Sequence, residues 1–104
     1  MSERTLTVGG GVIKEMVRLA ALEVPGVQRI GRAGPLWRRA LLGRSVITRV
    51  RDGRVTVRLS LVARPGHPIE GLTEQVRFAI CATVERLLGL ELEAVTVVVD
   101  GVGS

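Results

Sequence analysis

An alternating segment in the middle of the chain reads VITRVRDGRVTVRLSLVA, from Val46 to Ala63. Apolar and polar residues alternate on both sides of Asp52-Gly53, and this pair tolerates the positive φ angles of a two-residue hairpin turn. The segment therefore predicts a β-hairpin. The register set by such a turn gives a core face and an arginine-rich face. The core face would carry Val46, Thr48, Val50, Val55, Val57 and Leu59, and the other Ile47, Arg49, Arg51, Arg54, Thr56 and Arg58.

Two further segments have apolar residues at spacings of three and four, which is typical of amphipathic helices. The first runs from Val12 to Val24 and ends before Pro25-Gly26, and the second runs from about Ile69 to Leu88. The second helix is expected to begin behind Pro68 and to end at Gly89. Its predicted apolar stripe consists of Ile69, Leu72, Val76, Ile80, Thr83 and Leu87. Phe78 points away from that stripe and is expected to be exposed.

Short strands complete the predicted fold at Thr5–Val8, Val27–Ile30 and Glu93–Asp100. The predicted order is strand, helix, strand, a hairpin of two strands, helix and strand, in a single domain spanning residues 1–104. Two helices cannot cover both faces of such a sheet, so we expect both on one face. The prediction is an α+β two-layer sandwich with a mixed sheet.

The longest stretch without strand alternation runs from Gly31 to Arg44. A turn or two of helix is predicted between Pro35 and Gly43. Near its start stand Trp37, Arg38 and Arg39. In one interpretation the segment docks on a membrane-associated partner or on the anionic inner leaflet, because tryptophan and arginine suit a membrane interface. In the other, Trp37 and Leu41 fold back and cover the end of the core.

Composition predicts a folded protein in a reducing compartment. Hydrophobic residues make up 46% of the chain and the mean hydropathy is +0.33, which argues against disorder. The apolar runs are far shorter than the ~20 residues that span a bilayer. Cys81 is the one cysteine and residues 1–8 lack a signal-peptide core, so we expect a cytoplasmic protein without a transmembrane segment of its own.

Charge favours an anionic partner. The formal net charge is +5, and Lys14 is the one lysine among 15 basic residues. We expect a binding surface on the hairpin formed by Arg49, Arg51, Arg54 and Arg58. Four guanidinium groups on adjoining strands repel one another unless they are solvated or paired with anions. The alternative is a solvated face that only blocks strand aggregation.

No catalytic arrangement is predicted, and no cofactor or metal site. His67 has no second histidine and no partnered nucleophile, and the ten carboxylates show neither a paired arrangement nor metal-ligand spacing. A nucleic-acid-binding module is the alternative function, favoured by the isoelectric point of about 11.2 and the arginine-rich sheet face. The absence of tyrosine, with one phenylalanine and one tryptophan, leaves no stacking platform for single-stranded RNA.

An ordered set of short motifs resembles the alkaline shock protein family of bacterial envelope stress response proteins. The matching pieces are Val12-Ile13, AALEVPGV at 20–27, DGRVTV at 52–57, Pro68-Ile69, VERLLGLE at 84–91 and VTVVVDGV at 95–102. Each piece alone is common, and the order over nearly the whole chain carries the resemblance. The Trp-Arg-Arg core of residues 31–44 has no match in the family pattern, and the chain is richer in arginine than many relatives.

The resemblance implies a non-enzymatic protein without a cofactor that associates with the inner side of the cell envelope. It also implies a small membrane-protein partner and a role in envelope integrity under stress. The first expected function is therefore a cytoplasmic scaffold or interaction module at the inner face of the membrane. Its expected contacts are a membrane-associated protein and, through self-association, a second copy of the chain. The expected partner-binding residues are Arg49, Arg51, Arg54, Arg58, Trp37, Arg38 and Arg39.

Overall fold

The structure is a computed structural model, and it describes residues 10–103. The predicted strand Thr5–Val8 lies outside the described residues. In chain order the elements are α1 (Gly10–Leu22), β1 (Val27–Ile30), α2 (Leu36–Leu42), β2 (Val46–Arg51), β3 (Arg54–Ala63), α3 (Leu72–Ala82), a π-helical turn (Thr83–Leu87) and β4 (Glu91–Val102). The predicted α+β class is confirmed, and α2 occupies the span expected between Pro35 and Gly43.

Strand β3 is the centre of the sheet. One of its edges pairs in parallel with β4, from Arg54 to Ala63. Its other edge pairs antiparallel with β2 over its first half and with β1 over its last residues. The sheet is therefore mixed, and β1 and β2 lie end to end along one side of β3.

The predicted hairpin register is confirmed. Val46 pairs with Leu59, Thr48 with Val57 and Val50 with Val55. The turn residues Asp52 and Gly53 have φ angles of 52° and 76°, the positive values that a primed two-residue turn requires. Val50 departs from the expected core face, since 47% of it is exposed. It lies two residues from the turn on an edge strand, where the helical layer gives little cover.

Helices α1 and α3 pack on the same face of the sheet and share one core with it. From α1 the core receives Ile13, Val17 and Ala21, and from α3 Leu72, Val76 and Ile80. These six side chains meet the inward residues of β3, which are Val55, Val57, Leu59, Leu61 and Ala63. Burying this apolar area at about 25 cal/mol per Å² is the main stabilising term of the fold.

The second predicted helix differs from the structure at both ends. It begins at Leu72 rather than Ile69, because Gly71 has a φ of 81° and a right-handed helix cannot continue back through a left-handed residue. At the other end Leu88 N–H donates to Thr83 O at 3.2 Å, a bond that spans five residues and widens the turn. The wider turn moves Leu87 off the apolar stripe, so Leu87 is exposed and Leu88 packs against the core.

Segment 32–44, hereafter the excursion, interrupts what would otherwise be one continuous edge strand. Gly31 N–H donates to Ser60 O at 3.0 Å, and Ser60 N–H donates to Ser45 O at 2.8 Å. The residues on either side of the excursion therefore bind the same residue of β3. The chain leaves the sheet after β1, forms α2 and returns to the sheet at the position that it left.

A close contact joins the two loops at the end of the sheet. Gly26 O accepts a hydrogen bond from Arg64 N–H at 2.8 Å, and the His67 ring lies directly against Gly26. Gly26 has a φ of 95°, and a Cβ at this position would overlap with the imidazole. His67 is thus a half-buried packing residue.

Gly26→Ala should lower the free energy of unfolding by about 2–3 kcal/mol, because the new methyl group adds overlap with His67 to the strain of a positive φ. Urea denaturation measures the loss. Gly66→Ala is the matched control, since Gly66 has a φ of 81° and open space around it, and it should cost only about 1 kcal/mol. Equal losses in the two variants would show that the His67 contact does not restrict this position.

Candidate interaction surface

The arginine face of the hairpin consists of Arg49, Arg51, Arg54 and Arg58. The structure places all four side chains on the sheet face opposite the helices, and all four residues are exposed. The cross-strand pairs Arg51–Arg54 and Arg49–Thr56 hold three of them close together at the turn end. The predicted arginine-rich face is therefore present as one contiguous surface.

A shallow groove of about 530 Å³ lies at the turn end of this face. Its lining consists of Arg49, Val50, Arg51, Arg54, Thr56 and Glu93. Arg54 Nε lies 3.8 Å from Glu91 Oε1, and both side chains are more than half exposed, so this ion pair contributes little to stability. Among residues 10–103, neither Arg49 nor Arg51 forms a salt bridge. The groove therefore presents guanidinium groups to solvent.

Helix α2 turns its apolar side chains outward. Leu36 is 73% exposed, Trp37 66% and Leu41 78%, whereas Arg38 and Arg39 are half-buried. A surface helix of a globular protein has the opposite arrangement, with apolar residues toward the core. Trp37 and Leu41 thus do not cover the core. They form an exposed apolar patch with Leu36 on a short helix.

Asp100 of β4 anchors the excursion. Its carboxylate accepts hydrogen bonds from Ala33 N–H at 3.0 Å and from Arg38 Nη1 at 3.2 Å, and Arg38 Nη1 also donates to Ala33 O at 2.6 Å. To reach Asp100 the excursion crosses β3 on the face opposite the helices. This crossing accounts for the burial of Ser60 and Val62, which point to that face and are only 3% and 1% exposed.

The same contacts determine the ionisation of Asp100. The hydrogen bond from the Arg38 guanidinium lowers the pKa of the Asp100 carboxyl, and the Ala33 N–H adds to this effect, against a partial desolvation that raises it. Asp100 therefore stays ionised at neutral pH. Sequence analysis had not singled out Asp100, because its partners Ala33 and Arg38 lie more than sixty residues away in the chain.

His67 and Cys81 each contact a neighbouring side chain or backbone position. His67 packs on Gly26. The Cys81 thiol donates a hydrogen bond to Glu85 at 3.3 Å, and this bond to the neutral thiol raises the pKa of Cys81. A thiol held in its protonated form is a poor nucleophile.

Within the part of the chain that the structure describes, no three His, Cys, Asp or Glu side chains lie close enough together to hold a metal ion. The helices of that same part are all too short or too polar to span a bilayer.

Comparison with known protein families identifies the family to which this chain belongs. Residues 2–104 match a family described as having a cell envelope-related function. The chain belongs to the alkaline shock protein family. The resemblance based on short motifs is thereby confirmed, and the match includes the excursion that carries Trp37. The alkaline shock protein family is described as having a cell envelope-related function. The arginine face and the apolar patch of α2 are therefore candidate surfaces for contacts at the envelope.

Comparison of structures shows a shared fold with proteins of low sequence identity. A zinc form of a MamM CTD variant matches with a TM-score of 0.65 and 16% identity, over 90% of this chain and 87% of that chain. A manganese form of another MamM CTD variant matches with a TM-score of 0.63 and 18% identity, over 88% and 96%. Identities this low show the fold alone. No curated protein matches this alkaline shock protein family member in sequence.

The anchor of the excursion should weaken in acid. The lowered pKa of Asp100 means that ionised Asp100 stabilises the anchored state above the ordinary aspartate pKa, and that this stabilisation is lost as pH falls through the lowered value. Trp37 is the one tryptophan, so its fluorescence anisotropy reports on the excursion. We expect the anisotropy to fall below about pH 4, and in Asp100→Asn to be low at neutral pH already.

Asp52→Asn is the control, because Asp52 lies at the exposed hairpin turn and Asn also tolerates its positive φ. This variant should keep the anisotropy and the acid transition of the unaltered protein. An Asp100→Asn protein with the same transition would show that another carboxyl holds the excursion.

Proposed function

We propose that the chain is a single, non-enzymatic interaction domain, a two-layer α+β sandwich that attaches to the inner face of the cell membrane through a membrane-protein partner. The family's cell envelope-related function supports this proposal. The observation that carries it is the arginine face, four exposed guanidinium groups on one side of a rigid sheet. The partner's complementary surface would be an acidic segment close to the membrane.

The distribution of charge supports attachment through the side of the protein that carries the arginine face. Residues 27–63 contain nine arginines and one acidic residue, whereas the other described residues contain five basic and eight acidic residues. The chain is thus positive around β1, the excursion and the hairpin, and negative elsewhere. Such a field orients the protein before contact and accelerates its association with an anionic surface.

The partner-binding residues of this proposal are those of the arginine face together with Trp37, Arg38 and Arg39. Arg38 contributes indirectly, because its guanidinium binds Asp100 and holds α2 in place. A second copy of the chain is a further proposed contact, since among the strands of residues 10–103 β4 pairs with β3 alone, and an unpaired strand edge can pair with another chain.

Nucleic-acid binding is the second candidate, favoured by the same four exposed arginines. Guanidinium groups on a sheet bind phosphates of any origin, and such contacts weaken steeply with salt. Titration of labelled duplex DNA and single-stranded RNA tests this candidate. Tight binding at physiological salt that is lost in the arginine-face variant would favour it over a protein partner.

Changing Arg49, Arg51, Arg54 and Arg58 together to glutamine should reduce capture of the membrane-protein partner about tenfold or more, because several ion pairs worth up to about 1 kcal/mol each are lost. Affinity capture from detergent-solubilised native membranes, over a series of salt concentrations, measures the effect. The free energy of unfolding should hardly change, since the four side chains are exposed.

Changing Lys14, Arg18, Arg77 and Arg86 to glutamine is the matched control. It removes the same charge from the helical layer and should leave capture unchanged. If both variants capture equally, or if capture does not respond to salt, the arginine face is not the docking surface.

A further inference from the structure

A second groove, beneath α2, contains three arginines, and two of them, Arg29 and Arg32, have no part in the proposed partner contact. The groove has a volume of about 350 Å³, and its polar lining comes mainly from Arg29, Arg32 and Arg39, with Leu36 and Ala40 of α2 at its rim. Ile30 and the two residues that flank the excursion, Gly31 and Ser45, complete the lining. The excursion therefore encloses a small basic site against the edge of the sheet.

Two hydrogen-bond donors in this groove lack acceptors among the described residues, whereas Arg32 Nη2 donates to Arg44 O at 3.4 Å. The Nε atoms of Arg32 and Arg39 are buried, and neither has a hydrogen-bond partner among the described residues. The Arg29 guanidinium folds over Gly31, where a Cβ would lie 3.1 Å from Arg29 Nη1. The nearby Asp100 carboxylate is already engaged by Arg38 and Ala33. A buried donor without an acceptor costs free energy, and three guanidinium groups repel one another, so an anion would relieve both penalties.

The groove and the apolar patch of α2 lie side by side. Leu36 belongs to both, since it lines the groove and is 73% exposed. Trp37 and Leu41 of the same short helix are 66% and 78% exposed. Phospholipid at a bilayer surface has the complementary arrangement, with phosphate at the headgroup level and acyl chains below.

We propose that the groove binds the phosphate of an anionic phospholipid while Leu36, Trp37 and Leu41 enter the boundary between headgroups and acyl chains. Arg29, Arg32 and Arg39 hold the phosphate. Contact with the bilayer then orients the excursion toward the membrane and leaves the helical layer toward the interior of the cell. This inference extends the proposed attachment at the inner face of the membrane, and it adds a direct lipid contact that requires no protein partner.

Vesicles test the inference with purified protein. Phosphatidylglycerol vesicles should shift the fluorescence of Trp37 to shorter wavelength and protect it from an aqueous quencher, whereas phosphatidylcholine vesicles should do so much less. Trp37 is the one tryptophan and the chain lacks tyrosine, so the signal reports on α2 alone. Glycerol phosphate in solution should leave the spectrum unchanged, because it offers no apolar phase.

Two pairs of substitutions separate the apolar and the basic contributions. Leu36→Ser with Leu41→Ser should lower the partition into phosphatidylglycerol vesicles by about tenfold or more. Phe78→Ser with Leu87→Ser is the matched control, because both side chains are 70% exposed on the helical layer, and it should leave partition unchanged. Arg29→Gln with Arg39→Gln should lower partition about tenfold or more, and Arg77→Gln with Arg86→Gln should have little effect.

Circular dichroism of each variant verifies folding. Absence of a Trp37 shift with phosphatidylglycerol vesicles overturns the inference, as does equal loss of partition in the matched pairs. In a separate sample, the partner is added to the vesicles. If Trp37 shifts only in that sample, the inference is overturned too, and α2 is assigned to the membrane-protein partner. Because the vesicle experiment with purified protein contains no partner, failure of lipid binding and failure of the arginine face in partner capture are independent results.

Discussion

Strand β3 forms hydrogen bonds along both of its edges, and this pairing sets the positions of β1, β2 and β4. The Asp52-Gly53 turn sets the register of β2 against residues 54–59 of β3, and the parallel pairing with β4 runs from Arg54 to Ala63. A shift of one residue would exchange the core side chains for the arginines. Loss of the six buried apolar side chains that β2 and β3 contribute to the core would leave no stable alternative, since folded domains are more stable than their unfolded state by only about 5–15 kcal/mol.

The two faces of this sheet differ in chemistry because side chains alternate along β3. Alternation along β3 sends Val55, Val57 and Leu59 to the helices and sends Arg54, Thr56 and Arg58 to solvent. The helical layer covers the first face, and among residues 10–103 the second face is covered where the excursion crosses it. The open sheet surface is therefore a consequence of having two long helices on one face.

Sequence reasoning reached the features that depend on neighbouring residues. The hairpin register, the limits of α2 and most of the apolar stripes follow from turn chemistry and periodicity, and the structure agrees with them. It failed where contacts between residues far apart in the sequence, or a local change of helix type, determine the structure. The anchor joins Arg38 to Asp100 across 62 positions, and the π-helical turn moved Leu87 outward although its spacing suits a continuous α-helix. The basic groove was missed because Arg29 and Arg39 meet only when the excursion folds back to Ser60.

The attachment of Gly31 and Ser45 to the same residue has a consequence for how this protein can diverge. A loop whose ends are already adjacent closes at an entropic cost that rises only slowly with its length. Segment 32–44 can therefore be lengthened, shortened or exchanged for another sequence while β1 and β2 keep their places beside β3. Proteins with this sheet can acquire new specificity at this one site, and transplanting the segment onto a relative should transfer its recognition without redesign of the host.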